Sequence, residues 1–272
     1  MVDFILAYEA NLRLGIFLGL TILFMSLEAL FARKTRTMPR SERWITNLSM
    51  VIIDTIFIRL LFPIAAVGVA VIAAQKGWGI FNLTDWPFWL EIILAMIVLD
   101  MMIYWQHVAF HHIPFLWQFH KVHHVDRDID VTTATRFHPI EIAISLIYKM
   151  AVVLCLGPSV IAVIAFEILL NGCALFNHAN LRLPRTFDAA LRYIIVTPDM
   201  HRVHHSVLHQ ETNSNYGFCL SLWDRLFKSY THAPQTGHDA MTIGLAEHQT
   251  KQPNNLLWSL ALPLKSLISL QK

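Results

Sequence analysis

Residues 88–124 read FWLEIILAMIVLDMMIYWQHVAFHHIPFLWQFHKVHH. From 88 to 106 the stretch is apolar, apart from Glu91 near its start and Asp100 near its end. That is long enough for a membrane helix. At His107 the character changes. His107 and His111 are four apart, and His120, His123 and His124 have i, i+3, i+4 spacing. Residues so spaced share a helix face, and neutral imidazole binds Fe, Zn, Cu and Ni. An apolar span that runs straight into clustered imidazoles predicts a metal-binding region at one membrane edge.

The rest of the chain fits a membrane setting. Of 272 residues, 55% are hydrophobic and only 15% charged, with mean hydropathy +0.48; a soluble domain carries about 25% charged residues. A net charge of +2, with scattered Lys and Arg, excludes nucleic acid as a partner. Cys155, Cys173 and Cys219 form no CxxC, so neither a disulfide framework nor a thiolate metal site is expected. The N-terminus lacks the basic start and small-residue cleavage site of a signal peptide. Residues 11–32 read as a first membrane helix, followed by Arg33, Lys34, Arg36, Arg40 and Arg43. Five basic residues in a short loop place that loop in the cytoplasm. A second apolar stretch, about 48–74, carries Asp54 and Arg59, expected near its cytoplasmic end or facing other helices. The loop from Gly77 to Pro87 lies outside, with Trp78 and Trp86 at the interface.

Beyond the first histidines, 140–156 and 159–176 are apolar, and Gly157-Pro158 separates them. A hairpin that returns to the same side keeps every histidine cluster together. His201, His204 and His205 then repeat the spacing of His120, His123 and His124. The expectation is all-α: an integral membrane helical bundle of about four transmembrane helices plus a hairpin or re-entrant pair, under a cytoplasmic histidine-rich helical cap. Its domains are 1–106, the membrane helices; 107–250, the catalytic region with its hairpin at 140–176; and 251–272, an amphipathic tail at the interface.

Eight imidazoles are too many for one tetrahedral ion and suit two metals held between helices. His178 emerges from the hairpin at the right edge for a ninth ligand. His138 stands at the same edge, as a ligand or in a supporting or helix-entry role. His112 points off the His107/His111 face, and His209, His232, His238 and His248 read as solvated or hydrogen-bonded side chains. Ligating imidazoles donate their other N–H to carboxylates or carbonyls; Asp100, Asp126, Asp128, Asp130, Glu141, Asp199 and Asp224 lie near enough in sequence for some to serve. A metal transporter, the main reading from another class, would put such residues near the bilayer midplane, not at helix ends. A b-type haem carrier needs paired histidines within the membrane, and a zinc hydrolase an HExxH or three-ligand set with a base.

HxxxH, HxxHH and HxxHH in this order between membrane helices resemble the fatty acid hydroxylase / sterol desaturase superfamily, in a bacterial-type form. The likeness is closest in His120-Lys-Val-His-His-Val-Asp126 and Asp130-Val-Thr-Thr-Ala-Thr-Arg-Phe-His-Pro-Ile-Glu141, and extends through Pro198–His205, Asn213–Gly217 and Trp223–Phe227. It covers about 85–235. The resemblance implies a non-haem di-iron, O2-dependent oxidoreductase of lipid metabolism that hydroxylates or desaturates a fatty acyl, sterol or related substrate. Its two irons per chain would be held by His107, His111, His120, His123, His124, His201, His204 and His205. Ether cleavage of the alkylglycerol monooxygenase type and carotenoid-type hydroxylation are alternatives within the same chemistry. The chain departs from some members in carrying Ala174 four residues before His178, and it has no HPGG haem motif and no GxGxxG fingerprint. It therefore needs an external electron donor, a ferredoxin or cytochrome with its reductase. That donor is expected to dock on the cytoplasmic face through Arg33–Arg43 or Arg182, Arg185 and Arg192. A multi-pass protein of a bacterial inner membrane follows, its metal site on the cytoplasmic side.

Overall fold

A computed structural model describes residues 7–269. The membrane part consists of α1 (Glu9–Leu30), α2 (Arg40–Leu61), α3 (Ala66–Lys76) and α4 (Phe88–His112), then, after α5 (Pro114–His124), α6 (Pro139–Leu156) and α7 (Val160–His178). The cap adds α8 (Arg185–Leu191), α9 (Pro198–His204), short helical turns between 209 and 254, and the tail helix α10 (Leu256–Ser269). Three isolated antiparallel bridges are the only strand-like pairing among the described residues. Five segments of that part are long and apolar enough to cross a membrane: α1, α2 continued by α3, α4, α6 and α7. The chain is a multi-pass membrane protein. Leu18, Ile22, Ile52, Ile56, Trp89, Ile93 and Ile147 are exposed on the outside of the bundle, where only a lipid solvent accommodates so wide an apolar surface.

Helix boundaries differ from the hydropathy reading where a specific residue acts. The second apolar stretch is two helices, because Pro63 after Leu61 ends α2. α2 also begins eight residues earlier than its apolar run, at Arg40, and its first turns are embedded in the cap. Arg43, counted above in an exposed basic loop, is fully buried. Its Nε and Nη2 each donate at 2.7 Å to Asp126, and its Nη1 at 2.5 Å to Asp130. Burial alone would raise the Asp126 carboxyl; the Arg43 guanidinium overcomes this and holds it at about 2. α4 runs on past 106 to His112, since nothing breaks it before Ile113-Pro114, where the proline starts α5. His107 and His111 therefore lie on the membrane helix itself.

The hairpin reaches the full depth of the bundle. At its tip the Asn82 side-chain amide donates to the Gly157 carbonyl at 3.0 Å, and the Ser159 amide to Glu91 at 2.6 Å. Gly157 caps α6 with φ +63, and a Cβ there would stand 2.3 Å from the Trp78 carbonyl oxygen; both features require glycine. α6 thus descends to the Gly77–Pro87 loop and α7 returns. Ala66, Ala70, Leu99, Ile103, Val153, Val163 and Phe166 form the core between α3, α4, α6 and α7. At the other end, the Arg33 amide donates to the Asn180 carbonyl and the Thr37 amide to Asp128. These bonds tie the α1–α2 loop to the cap. The tail helix brings Leu262 onto Met50, Val122 and Val125. Every histidine group is gathered at this end.

Candidate metal centre

Two groups of imidazoles form under the cap. One contains His107, His111, His120, His124 and His204; the other contains His123, His178, His201 and His205. Within each group one ring nitrogen per residue lies within 4.8 Å of all the others. Spacing alone suggested that each HxxHH offers its three rings together. The structure divides them: His120 and His124 face the first group and His123 the second, while His201 and His205 face the second and His204 the first. Each HxxHH thus contributes to both groups, which couples them into one centre.

Six of the nine rings are oriented as ligands are. The Nδ1–H of His107 donates to the Tyr216 carbonyl at 2.8 Å, that of His204 to the Ser214 carbonyl at 2.7 Å and that of His111 to Asn213 Oδ1 at 3.3 Å. His120 Nδ1 donates to Glu141 at 2.6 Å, His123 to the Arg136 carbonyl at 3.1 Å and His178 to the Ala174 carbonyl at 2.7 Å. The Nε2 atoms then point inward, as metal-ligating imidazoles require. His111 Nε2 and His204 Nε2 are buried with no partner. The Nε2 atoms of His120 and His124 are 3.2 Å apart, those of His123 and His178 3.0 Å, those of His178 and His201 3.0 Å, and those of His201 and His205 3.3 Å. An ion about 2.0–2.1 Å from each nitrogen sets neighbouring ligand nitrogens roughly 3.0–3.4 Å apart. The residues present fit metal ions, and each group can hold one.

Burial keeps these rings neutral. It pushes His120 down to about 3, and it drives His123, His124, His201, His204 and His205 well below the usual imidazole range, with neighbouring imidazoles adding to the effect. Neutral imidazole is the form that binds metal.

His138 joins neither group. It caps α6, its Nδ1 accepting from the Ile140 amide at 3.2 Å, while its Nε2 donates to the Leu260 carbonyl at 3.2 Å. Both nitrogens are engaged, which is the helix-entry role. His112 is exposed, and its Nε2 meets the Tyr216 hydroxyl at 3.0 Å.

Of the seven acidic residues considered as imidazole partners, Glu141 alone contacts a histidine of either group. The others are mostly buried and structural rather than solvated. Asp126 and Asp130 hold Arg43, Asp128 holds the α1–α2 loop, and Asp199 pairs with Arg202. Asp100 accepts from the Cys219 and Leu220 amides and from Trp223. Asp224 accepts from the amides of Tyr216 and Gly217 at 2.7 and 2.8 Å.

The segment Asn213–Gly217 supplies most of the missing acceptors. Asp224 fixes it from one side, and the Asn215 side chain ties it to Met200 and Thr231. Asn215 has φ 52, and a Cβ at Gly217 would come within 2.6 Å of Asp224 Oδ2. Carbonyl acceptors leave no trace in side-chain identity; Asn215 and Gly217 are the visible signs of the turn that aims them.

A cavity of about 490 Å³ opens among the membrane helices and ends at the centre. His107, His120, His123, His178 and His201 form its inner end. Phe110, Phe137, Ala134 and Phe218 line the approach, and Thr55, Ile58 and Arg59 lie at its outer part on α2. Arg43 and Arg192, expected on an exposed basic face, are buried; Arg192 is bound to Asp188. Arg182 and Arg185 remain exposed.

A helical membrane bundle with paired histidine groups at the inner end of an intramembrane cavity defines a metal-dependent membrane enzyme that works on apolar substrates. The fatty acid hydroxylase family model matches residues 92–229, half of the chain; the chain belongs to this family of lipid-modifying oxidoreductases. It is similar to ornithine lipid hydroxylase OlsE of Rhizobium tropici, 25% identical over 242 residues that cover 84% of this chain and 71% of that protein. It is also similar to alkylglycerol monooxygenase of Xenopus tropicalis, 32% identical over 148 residues, 54% of this chain and 31% of that protein. Lathosterol oxidase of Rattus norvegicus is 24% identical over 182 residues, 65% of this chain and 58% of that protein. The chain thus spans about a third of the alkylglycerol monooxygenase. No solved structure matches it.

Proposed function

We propose that the protein is an O2-dependent di-iron oxidoreductase that hydroxylates or desaturates a lipid drawn from the bilayer. One iron would sit in the His107, His111, His120, His124, His204 group and the other in the His123, His178, His201, His205 group. The observation that carries this reading is the convergence of both groups on the inner end of one intramembrane cavity. When bound, the irons supply the electrons that reduce O2 and the oxidising power that removes hydrogen from an unactivated C–H bond.

The chain's own residues do the rest. The imidazoles would hold the metals in neutral form, and Asn213–Gly217, Glu141 and the carbonyls of Arg136 and Ala174 lock the orientation of six of them. Phe110, Phe137 and Phe218 exclude water from the approach and guide an apolar chain past the inner histidines. The catalytic region would be 107–250, with 1–106 providing membrane walls and 251–272 an amphipathic support. The centre would face the cytoplasm of a bacterial inner membrane. An external ferredoxin or cytochrome, kept reduced by its reductase, would deliver electrons there. Ether-lipid oxidation is the second reading, favoured by the similarity of the catalytic region to alkylglycerol monooxygenase.

Lipid extracts from cells with and without the gene separate these outcomes. Gain of one oxygen means hydroxylation, loss of two hydrogens desaturation, and disappearance of alkyl ethers ether cleavage. Identical lipid profiles under aerobic, iron-replete growth with the protein present would contradict the proposal.

A further inference from the structure

A continuous row of oxidisable rings runs from the first histidine group to the protein surface. Tyr216 is 3% exposed, and its ring centre lies 5.2 Å from that of His111 and 5.7 Å from those of His107 and His204. Tyr104, 2% exposed, is next at 6.3 Å, and Trp105 follows at 5.4 Å. Trp105 reaches the surface at 42% exposure. Phe227 packs on both outer rings, 5.3 Å from Tyr104 and 4.7 Å from Trp105. Contacts of this length are ordinary aromatic packing. The handling of protons sets the row apart.

A phenol that loses an electron becomes strongly acidic, so a buried tyrosine passes electrons on only where its proton has an acceptor. Both tyrosines have one. The Tyr216 hydroxyl lies 3.0 Å from Nε2 of the exposed His112. The Tyr104 hydroxyl lies 2.8 Å from Ser229 Oγ, which donates to Asp224 at 2.6 Å. Trp117 also touches the first group, its ring centre 5.0 Å from that of His111. It leads nowhere: among the described residues its ring neighbours are imidazoles, and the rest of its packing includes Met50, Val122 and Leu262.

We infer that Tyr216, Tyr104 and Trp105 form a relay that carries electrons from the surface to the metal centre when O2 is reduced with no lipid in place. The inference rests on the proposed O2-dependent di-iron reading and adds a protective function to it. Reducing O2 to two waters takes four electrons and four protons. The reduced irons supply two of the electrons, and in productive turnover the substrate C–H bond supplies the other two. With the cavity empty, the relay supplies them one at a time. Tyr216 gives up an electron and its proton shifts to His112. Tyr104 restores Tyr216 and shifts its own proton through Ser229 to Asp224. Trp105 restores Tyr104. A one-electron reductant of the ene-diol class, an anion that the exposed Lys228 beside Phe227 attracts, restores Trp105. Each shifted proton returns to its phenol on re-reduction, and solvent supplies the four that end in water. Without the relay the oxidising equivalents stay beside His107, His111 and His204 and oxidise them.

The test uses full-length, iron-loaded protein in detergent, reduced with dithionite, freed of reductant and mixed with O2 and a nitrosoalkane spin trap, without lipid. Electron paramagnetic resonance measures the trapped radical, peptide mass spectrometry locates it, and an oxygen electrode follows O2 uptake. Wild type should carry the trap on Trp105, and ascorbate should remove that adduct. Tyr216→Phe and Tyr104→Phe should each lose the Trp105 adduct and gain added oxygen on His107, His111 or His204. Trp117→Phe should keep the adduct. Absence of a Trp105 adduct in wild type that takes up O2, or an undiminished adduct in either folded tyrosine variant, overturns the inference and leaves the lipid-oxidation reading standing. Failure of iron-loaded wild type to take up O2 overturns both. Iron content and a single monodisperse elution peak verify that each variant is folded. Tyr104→Phe, remote from the ligands, preserves the comparison should Tyr216→Phe not hold metal.

Discussion

His123 and His124 are adjacent in the chain and face different metal groups. His124 Nε2 lies 3.2 Å from His120 Nε2, whereas His123 Nε2 lies 3.0 Å from His178 Nε2 on another helix. Consecutive residues on a helix project about 100° apart, so one turn of α5 faces both groups. α9 does the same in the opposite sense, with His204 in the first group and His201 and His205 in the second. Lipid turnover should accordingly be abolished by Ala at His123, His124, His204 or His205, measured in membranes carrying each variant. Ala at His232 or His248, which lie outside both groups, should leave it largely intact. Full turnover in any of the first four would refute that residue's assignment.

The glutamate behind His120 should tune metal retention without being a ligand. Glu141 accepts the His120 Nδ1–H at 2.6 Å. Loss of such a partner typically costs 10–100-fold in metal affinity. Glu141→Gln can still accept that hydrogen bond, through an amide oxygen that is a weaker acceptor than a carboxylate. Chelator titration of the purified variant should show metal released at about tenfold lower chelator concentration than in wild type, with unchanged helix content by circular dichroism.

Stability should fall on acidification through the histidines. In the folded chain His120 is held down at about 3, and its neighbours in the cap lie well below 6.5; in the unfolded chain they return to about 6.5. The unfolded state therefore binds more protons below pH 6.5, and stability present above that value is lost as pH falls toward 3. The metal-free protein should melt at progressively lower temperature from pH 7 to pH 5. Metal, binding only the folded neutral rings, should raise the whole curve. A melting temperature independent of pH in this window would mean that the rings are not desolvated.

Arg43 gives a structural prediction of a different kind. Its guanidinium is fully buried between Asp126 and Asp130. Removing one partner of a buried ion pair strands the other charge and costs about 3–5 kcal/mol. Arg43→Met should lower the unfolding temperature in detergent far more than Arg182→Met, whose side chain is exposed. Equal effects would show that the cap tolerates the uncompensated carboxylates.

Hydropathy located α1, α6 and α7 to within a few residues because bilayer thickness imposes a length that sequence displays directly. It missed the first turns of α2, where Arg43, Thr46 and Asn47 enter the cap: charge and polarity on a helix read as a solvated loop unless the buried partner, here Asp126, is known. The histidines were visible as a set because imidazoles at i, i+3, i+4 have few other uses. Their division between two groups was not, since it depends on how α4, α5, α7 and α9 approach one another. The orienting acceptors were the least legible part. Most are backbone carbonyls, and the acidic side chains nearby in sequence are spent on Arg43, on Arg202 and on turn amides.

The proposed centre holds one metal ion in each histidine group. Elemental analysis of full-length protein from iron-supplemented cells tests it most directly, run on wild type, His124→Ala and His123→Ala. Wild type should carry about two metals per chain and each variant about one, the remaining ion lying in the untouched group. One metal per chain in folded wild type, or two retained in either variant, would contradict it.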